Sequence, residues 1–464
     1  MLRRYFIPII LLLAALAAAI YFTGTKTKKH DVRASVPVER FQLSNGLQVV
    51  VMPNPRIPVV THMLVVKAGG ADDAYGKSGV AHYMEHLMFA GTKDYPEGTY
   101  DRAIARVGGV QNASTNRDYT LFYATVPKEH LRTVMAMEVD RLRNIDFDTA
   151  KAARELKIIT EERNMRVENN PAAQWVEQLN ALTFLNHPYH QPVIGWAEDM
   201  ATFTAADARA YYEAHYRPGN MILLVAGDVT ARDVRRHAQH YYGAMPGGEF
   251  ATRNWPKEPP IRMARKGEMR DTKVHEPRLL RQYIAPSVGD GAKEDALPLS
   301  VFAQYLGGGE TSVLYRTLVR EQKLASNVSV DYDPMAIGPA LFRIVAVPAA
   351  GVTLPQLEEA LDRALATALV TAPDEGDIAN AKTLLKAALI YAQDGLQPLA
   401  NTMAGLFAIG LDEQYFYSWA DNVGQVSAAG ALAAGKAVII PARAVTGYLL
   451  PETPAPTAEV PHAQ

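Results

Sequence analysis

The chain contains no cysteine in its 464 residues. That excludes disulfides and thiolate ligands and leaves His, Asp and Glu as the side chains able to hold a metal. A dominant charge is also missing. Forty-seven Lys and Arg stand against 49 Asp and Glu, a formal net charge of −2, so no broad basic surface is available and nucleic acid is not expected as a partner. Nor is apolar material scarce, since 48% hydrophobic and 21% charged residues exclude a disordered chain. The length exceeds one ordinary core and suits about two to three domains.

What is present concentrates in Gly79-Val-Ala-His82-Tyr-Met-Glu85-His86-Leu-Met-Phe89, where three polar side chains interrupt an apolar helical run. On a helix, residues three and four apart share a face, so His82, Glu85 and His86 point one way while Tyr83, Met84 and Leu87 turn elsewhere. Two imidazoles so placed can grip one ion. Zinc accepts imidazole readily, and two histidines with one distant carboxylate would leave a fourth position open for water, beside which Glu85 would lie as a base. A helix through Arg154-Glu155-Leu-Lys-Ile-Ile-Thr-Glu161-Glu162-Arg163 offers three carboxylates for the distant ligand. Residues seven apart nearly eclipse each other, so Glu155 and Glu162 share a face and Glu161 lies on another.

The order His-x-x-Glu-His is the inverzincin signature, and the sequence resembles the pitrilysin-like zinc metallopeptidases, the family that includes mitochondrial processing peptidase and insulin-degrading enzyme. The family's spacing from the second histidine falls on Glu162 as third ligand, with Glu155 two turns earlier as its support. The resemblance implies one Zn2+ per chain held by His82, His86 and Glu162, with Glu85 as general base. It also implies an α+β fold of two similar domains, each a mostly antiparallel sheet with helices packed on one face. Gly108-Gly-Val-Gln-Asn112-Ala113-Ser-Thr115 resembles the segment whose edge strand pairs with a bound peptide, so Asn112 and Ala113 would contact substrate. Gly307-Gly-Gly-Glu-Thr-Ser-Val-Leu-Tyr-Arg-Thr-Leu-Val-Arg320 resembles the glycine turn and helix from which relatives present an arginine and then a tyrosine to the substrate. Arg320 is retained, but Ala325-Ser326-Asn327 occupies the tyrosine's place. The resemblance therefore implies a dimer, including a heterodimer with a related subunit that brings an Arg/Tyr pair; Tyr332, on the following strand, is the internal substitute.

Met1-Leu-Arg-Arg4 precedes Tyr5–Phe22, an uncharged run long enough to span a bilayer, and Lys26, Lys28 and Lys29 follow it. Residues 1–36 are expected to be a membrane anchor, or a signal segment, with a tether. This places the chain on a bacterial inner membrane with its domains facing the periplasm, or secreted there after cleavage at Ala17-Ala18-Ala19. Residues 37–246 are expected to form the zinc-binding catalytic domain. The Pro- and Arg-rich 247–270 reads as a linker, 271–450 as a second, metal-free homologous domain, and 451–464 as a disordered tail. The pairs His187/His190 and His237/His240 have no third partner at suitable spacing and read as ordinary histidines. The function expected is a zinc endopeptidase acting on peptides or unfolded polypeptides. The rival is a non-catalytic assembly subunit of a peptidase-like complex, whose signature would be a broken metal motif.

Overall fold

A computed structural model of the protein describes residues 37–392 and 395–452. The expected N-terminal anchor or signal segment and nearly all of the expected tail lie outside the described residues. Among those described, no helix is long and apolar enough to cross a membrane.

A hairpin forms around Ser44-Asn45-Gly46. Gly46 at φ +94° turns the chain, and β1 (Glu39–Gln42) pairs antiparallel with β2 (Gln48–Pro53). With β3 (Val59–Val66), β4 (Val110–Thr115), β5 (Thr120–Pro127) and β6 (Met221–Gly227) they make a six-stranded sheet in the order β1-β2-β6-β3-β5-β4. Central β6 is buried at every position, as a strand covered on both faces must be. The second sheet takes β7 (Arg265–Asp271), β8 (Arg278–Ala285), β9 (Ala325–Tyr332), β10 (Ala340–Pro348) and β11 (Val445–Pro451) in the order β7-β11-β8-β10-β9. Each sheet has one parallel pair, β2 with β6 and β7 with β11; the other pairs are antiparallel. Strand for strand, β2 to β6 and β7 to β11 repeat one topology, so the two halves are alike in fold while only the first contains the His-x-x-Glu-His run.

Helices cover one face of each sheet, packing into two separate apolar cores. Four helices matter for the site: α1 (Val80–Leu87), α2 (Thr149–Arg163), α3 (Pro171–Thr183) and α4 (Leu396–Ala408). Asp148 caps α2 by accepting from the backbone N–H groups of Ala150 and Lys151, and α3 starts on an Asn170 cap with Pro171 in its first turn, both strong start signals. The remaining face of each sheet is covered by a helix of the other half. From the first half, Trp175 and Leu179 of α3 pack on Leu280, Val445 and Leu449 of the second sheet. In exchange, α4 packs on β3 and β6.

The stretch expected to be a linker is irregular as far as residue 264, and its last residues, from Arg265, are strand β7. Its charged, glycine-containing composition, RKGEMRD, concealed the strand, which is held by its parallel partner β11. The irregular part is pinned to the first half: Glu258 accepts from the N–H groups of Leu185, Asn186 and His187, and Trp255 packs edge-on to His187. Pro451, expected to open the tail, is instead the last residue of β11, opposite Asp271.

One core histidine gives the first half a pH dependence. His62 in β3 is fully buried, 2.8 Å from the Tyr242 hydroxyl, and burial holds its pKa down at about 4. Its folded pKa lies below the unfolded value of about 6.5, so the unfolded chain takes up the proton first and stability is lost as pH falls from 6.5 toward 4. The His62→Leu variant is expected to lose about 2 kcal/mol less than the parent between pH 6.5 and 5 in urea titrations. Equal losses would show that His62 does not titrate in that window.

Candidate metal centre

Helix α1 is placed from its N-terminus. Gly79 sits at φ +94°, and a Cβ there would come within 2.6 Å of the Ile194 carbonyl oxygen, so only glycine fits. With no side chain at the cap, the buried Asp73 serves instead: its carboxylate accepts from Gly79 N–H at 2.7 Å and Ala81 N–H at 2.8 Å. A carboxylate on the first N–H groups satisfies orphan donors and suits the helix dipole. Asp199 braces the preceding residue, accepting from the Ser78 backbone N–H and hydroxyl. Val80, Ala81, Tyr83, Met84 and Leu87 are buried in the first core. The Tyr83 hydroxyl donates to the Ala152 carbonyl at 2.7 Å and so ties α1 to α2.

This anchoring turns His82 and His86 toward α2. Glu162 Oε2 lies 3.2 Å from His86 Nε2 and 3.5 Å from His82 Nε2, and the three residues offer ligand atoms all within 4.8 Å of one another. Glu162 Oε2 is buried and hydrogen-bonded to nothing; its other oxygen accepts from Arg166 at 2.7 Å. A buried carboxylate oxygen left without a donor is costly. Facing two imidazole nitrogens, it fits a small divalent cation, and two nitrogens with one oxygen are a donor set that zinc accepts. Glu155 Oε2 stands 3.9 Å from His86 Nδ1, on the side away from Glu162. Glu161 is exposed and faces Asn164, so the helical phase separates it from the centre.

The electrostatics agree. Burial, then the neighbouring His86 and Arg166 charges, push the His82 pKa down to about 3, which keeps that imidazole neutral and able to ligate. For His86 burial acts downward as well, but Glu155, Glu162 and Glu85 outweigh it and raise the pKa. Glu85 is raised, chiefly by burial. Three carboxylates surround the two imidazoles, and Arg166 and Arg154 pair with two of them.

Glu85 lies on the same helix face, and its Oε2 accepts from the hydroxyl of Thr115, the last residue of β4. Asn112 and Ala113 lie on β4, the outermost strand of the first sheet. The Asn112 side chain accepts from the Ala113 backbone N–H. Arg320 is not brought to the cluster. It sits in a π-helical turn, Tyr315–Glu321, exposed and paired with Glu310 at 3.1 Å. The Tyr332 hydroxyl donates to the Pro286 carbonyl at 2.6 Å. His187 and His190 join no ligand group: His187 Nδ1 accepts from Tyr189 N–H and its ring packs against Trp255.

Three residues at the centre escaped the sequence reading. Arg166 follows Glu162 by one helical turn, a spacing that could have revealed it. Thr115 closes a segment already singled out. Asp73 reaches α1 across a loop and left no local signal.

The family description "Insulinase (Peptidase family M16)" matches residues 48–196 and "Peptidase M16 inactive domain" matches residues 202–385. The chain is 29% identical over 291 residues to the zinc protease PqqE of Helicobacter pylori, an alignment covering 62% of this chain and 65% of that protein. It is 27% identical to the mitochondrial-processing peptidase subunit beta of Blastocladiella emersonii, over 78% of this chain and 77% of that one. In structure it is similar to a protease from Helicobacter pylori, with a TM-score of 0.82 and 24% identity over 89% of this chain and all of that one. It is also similar to the periplasmic protease PqqL from Escherichia coli, with a TM-score of 0.74 and 21% identity over 89% of this chain and 47% of that one. The two M16 descriptions run almost end to end over residues 48–385, and the chain belongs to the insulinase-like peptidase family M16.

Proposed function

We propose that the chain is a zinc endopeptidase acting on peptides or unfolded polypeptides, with one Zn2+ held by His82, His86 and Glu162. The observation that carries this reading is the buried Glu162 oxygen, lacking any hydrogen-bond donor, between two imidazole nitrogens. Zinc bound there would act as a Lewis acid toward a water and the peptide carbonyl. Glu85 takes the proton from the attacking water and passes it to the leaving amine, while the Thr115 hydroxyl holds one of its oxygens and so aims the other. Glu155 orients His86 through the second ring nitrogen, and Arg166 fixes the free oxygen of Glu162. Substrate lies as an added strand along the free edge of β4, past Asn112 and Ala113. Arg320, on the second half, serves the substrate carbonyls, together with an Arg/Tyr pair from a related subunit. The deciding experiment measures zinc content and cleavage of an unstructured peptide in one preparation, before and after chelation. Full cleavage by zinc-free protein would overturn the reading.

The third ligand has its own test. Glu162→Gln is expected to lower zinc occupancy sharply, Glu155→Gln to weaken binding about 10–100-fold, and Glu161→Gln to leave it nearly unchanged, as read by metal analysis. Equal losses at 161 and 162 would mean that the wrong face of α2 has been assigned.

Location belongs to the same proposal: the uncharged run Tyr5–Phe22 anchors the chain in a bacterial inner membrane with its domains in the periplasm, the compartment of the periplasmic Escherichia coli neighbour. The full-length protein is expected to pellet with membranes until detergent is added. A soluble mature chain beginning between Ala18 and Gly24 would instead identify a cleaved signal.

A further inference from the structure

Arg163 directly follows Glu162 in α2, and its side chain is buried. All three of its nitrogens are engaged. Nη1 and Nη2 each donate to one oxygen of Glu177, both at 2.9 Å; Nε donates to Glu168 at 2.9 Å, and Nη1 also donates to the Gly195 carbonyl at 2.5 Å. A forked arginine–carboxylate pair shielded from water is strong and geometrically exacting. The backbone is shaped to complete the set. Past Arg163 the helix widens into a five-residue turn, the Asn169 N–H donating to the Asn164 carbonyl, and this returns Glu168 to the arginine. Widened turns of this kind occur frequently at functional sites.

The partners of Arg163 join three parts of the chain. Glu168 closes the end of α2 on itself. Gly195, at φ +91°, lies against the start of α1, where a Cβ on it would come within 2.3 Å of the Ser78 carbonyl oxygen. The helix that carries His82 and His86 thus begins against the loop that Arg163 holds. Glu177 lies on α3, two residues from both Trp175 and Leu179, so it points away from the face they form. That opposite face belongs to the second half: Trp175 and Leu179 pack on the second sheet, Gln282 of β8 donates to the Leu179 carbonyl at 3.1 Å, and Arg343 of β10 donates to Asn180 Oδ1 at 3.0 Å. One side of α3 is therefore fixed to the metal-free half, and the other is forked to the neighbour of Glu162.

We propose that Arg163 and Glu177 are positioning residues through which the metal-free half sets the zinc affinity of the first, so that docking of α3 on the second sheet and zinc binding favour each other. This rests on the metal-centre reading above. Linkage makes the coupling reciprocal: loosening α3 from the second sheet weakens zinc binding, and zinc protects α3.

The test measures zinc affinity of the full chain by competition with a chromophoric chelator, and hydrogen exchange of the α3 amides with and without zinc. Glu177→Gln keeps the side chain's shape but leaves a buried guanidinium short of its partner, and is expected to weaken zinc about tenfold, as loss of a group supporting a ligand does. Arg163→Lys keeps the charge without the fork and should act alike. Leu179→Ala, on the opposite face of α3, should weaken zinc about threefold in the parent and add nothing to Glu177→Gln, because the link is already cut. Zinc should slow α3 exchange in the parent and not in Glu177→Gln, which also shows that each protein is folded. Unchanged zinc affinity in Glu177→Gln, or a Leu179→Ala loss as large in that background as in the parent, would overturn the coupling and leave the metal centre intact. Zinc affinity unmoved by Glu162→Gln would overturn both.

Discussion

Glu85→Gln is expected to keep zinc bound and to slow peptide hydrolysis by about 10²–10⁴-fold, the usual contribution of a positioned general base. The amide preserves the shape of the carboxylate and its bond from Thr115, so α1 and its two histidines stay where Asp73 and the Tyr83 hydroxyl hold them. What is lost is the ability to accept a proton. His82→Ala should lose hydrolysis and metal together, because it removes a ligand. The separation of the two effects is the content of the prediction: turnover and zinc are measured on the same preparations at saturating peptide. Near-full turnover by the Glu85→Gln protein would remove Glu85 from the base's role.

Much of this centre was legible because helical periodicity is a local rule. The spacing of His82, Glu85 and His86 puts them on one face whatever the rest of the chain does, and the seven-residue step from Glu155 to Glu162 sets both toward His86 while leaving Glu161 exposed. The strands β3, β6, β8 and β10 were readable for a similar reason, being apolar runs closed by glycine, proline or charge. Strand β7 was not, since RKGEMRD has the composition of a loop and is a strand through its ladder with β11. The exchange of α3 and α4 between the halves was equally hidden. Each is an amphipathic helix whose partner sheet lies far away in sequence. Asp73 was missed on the same ground: its role depends on a loop returning it to the start of α1, which no sequence period encodes.

The chain purified alone is expected to cleave an unstructured peptide about 10²–10³-fold more slowly than it does beside a related subunit carrying an Arg/Tyr pair, the usual cost of one missing oxyanion donor. The structure sharpens the grounds for this. Ser326 stands where a tyrosine is expected, and its short hydroxyl reaches only toward the Val347 carbonyl at 3.4 Å. Tyr332, the internal substitute, donates its hydroxyl proton to the Pro286 carbonyl at 2.6 Å, and that bond must break before it can serve an oxyanion. Arg320 is half-exposed and paired with Glu310, so it is available to a substrate but supplies only part of the set. Activity is compared for the isolated chain, the chain with a co-purified partner, and Tyr332→Phe in each state. Addition of the partner should raise kcat with little effect of Tyr332→Phe. Full activity from the isolated chain, abolished by Tyr332→Phe, would give the oxyanion donor to Tyr332 and leave no role for a second subunit in the chemistry.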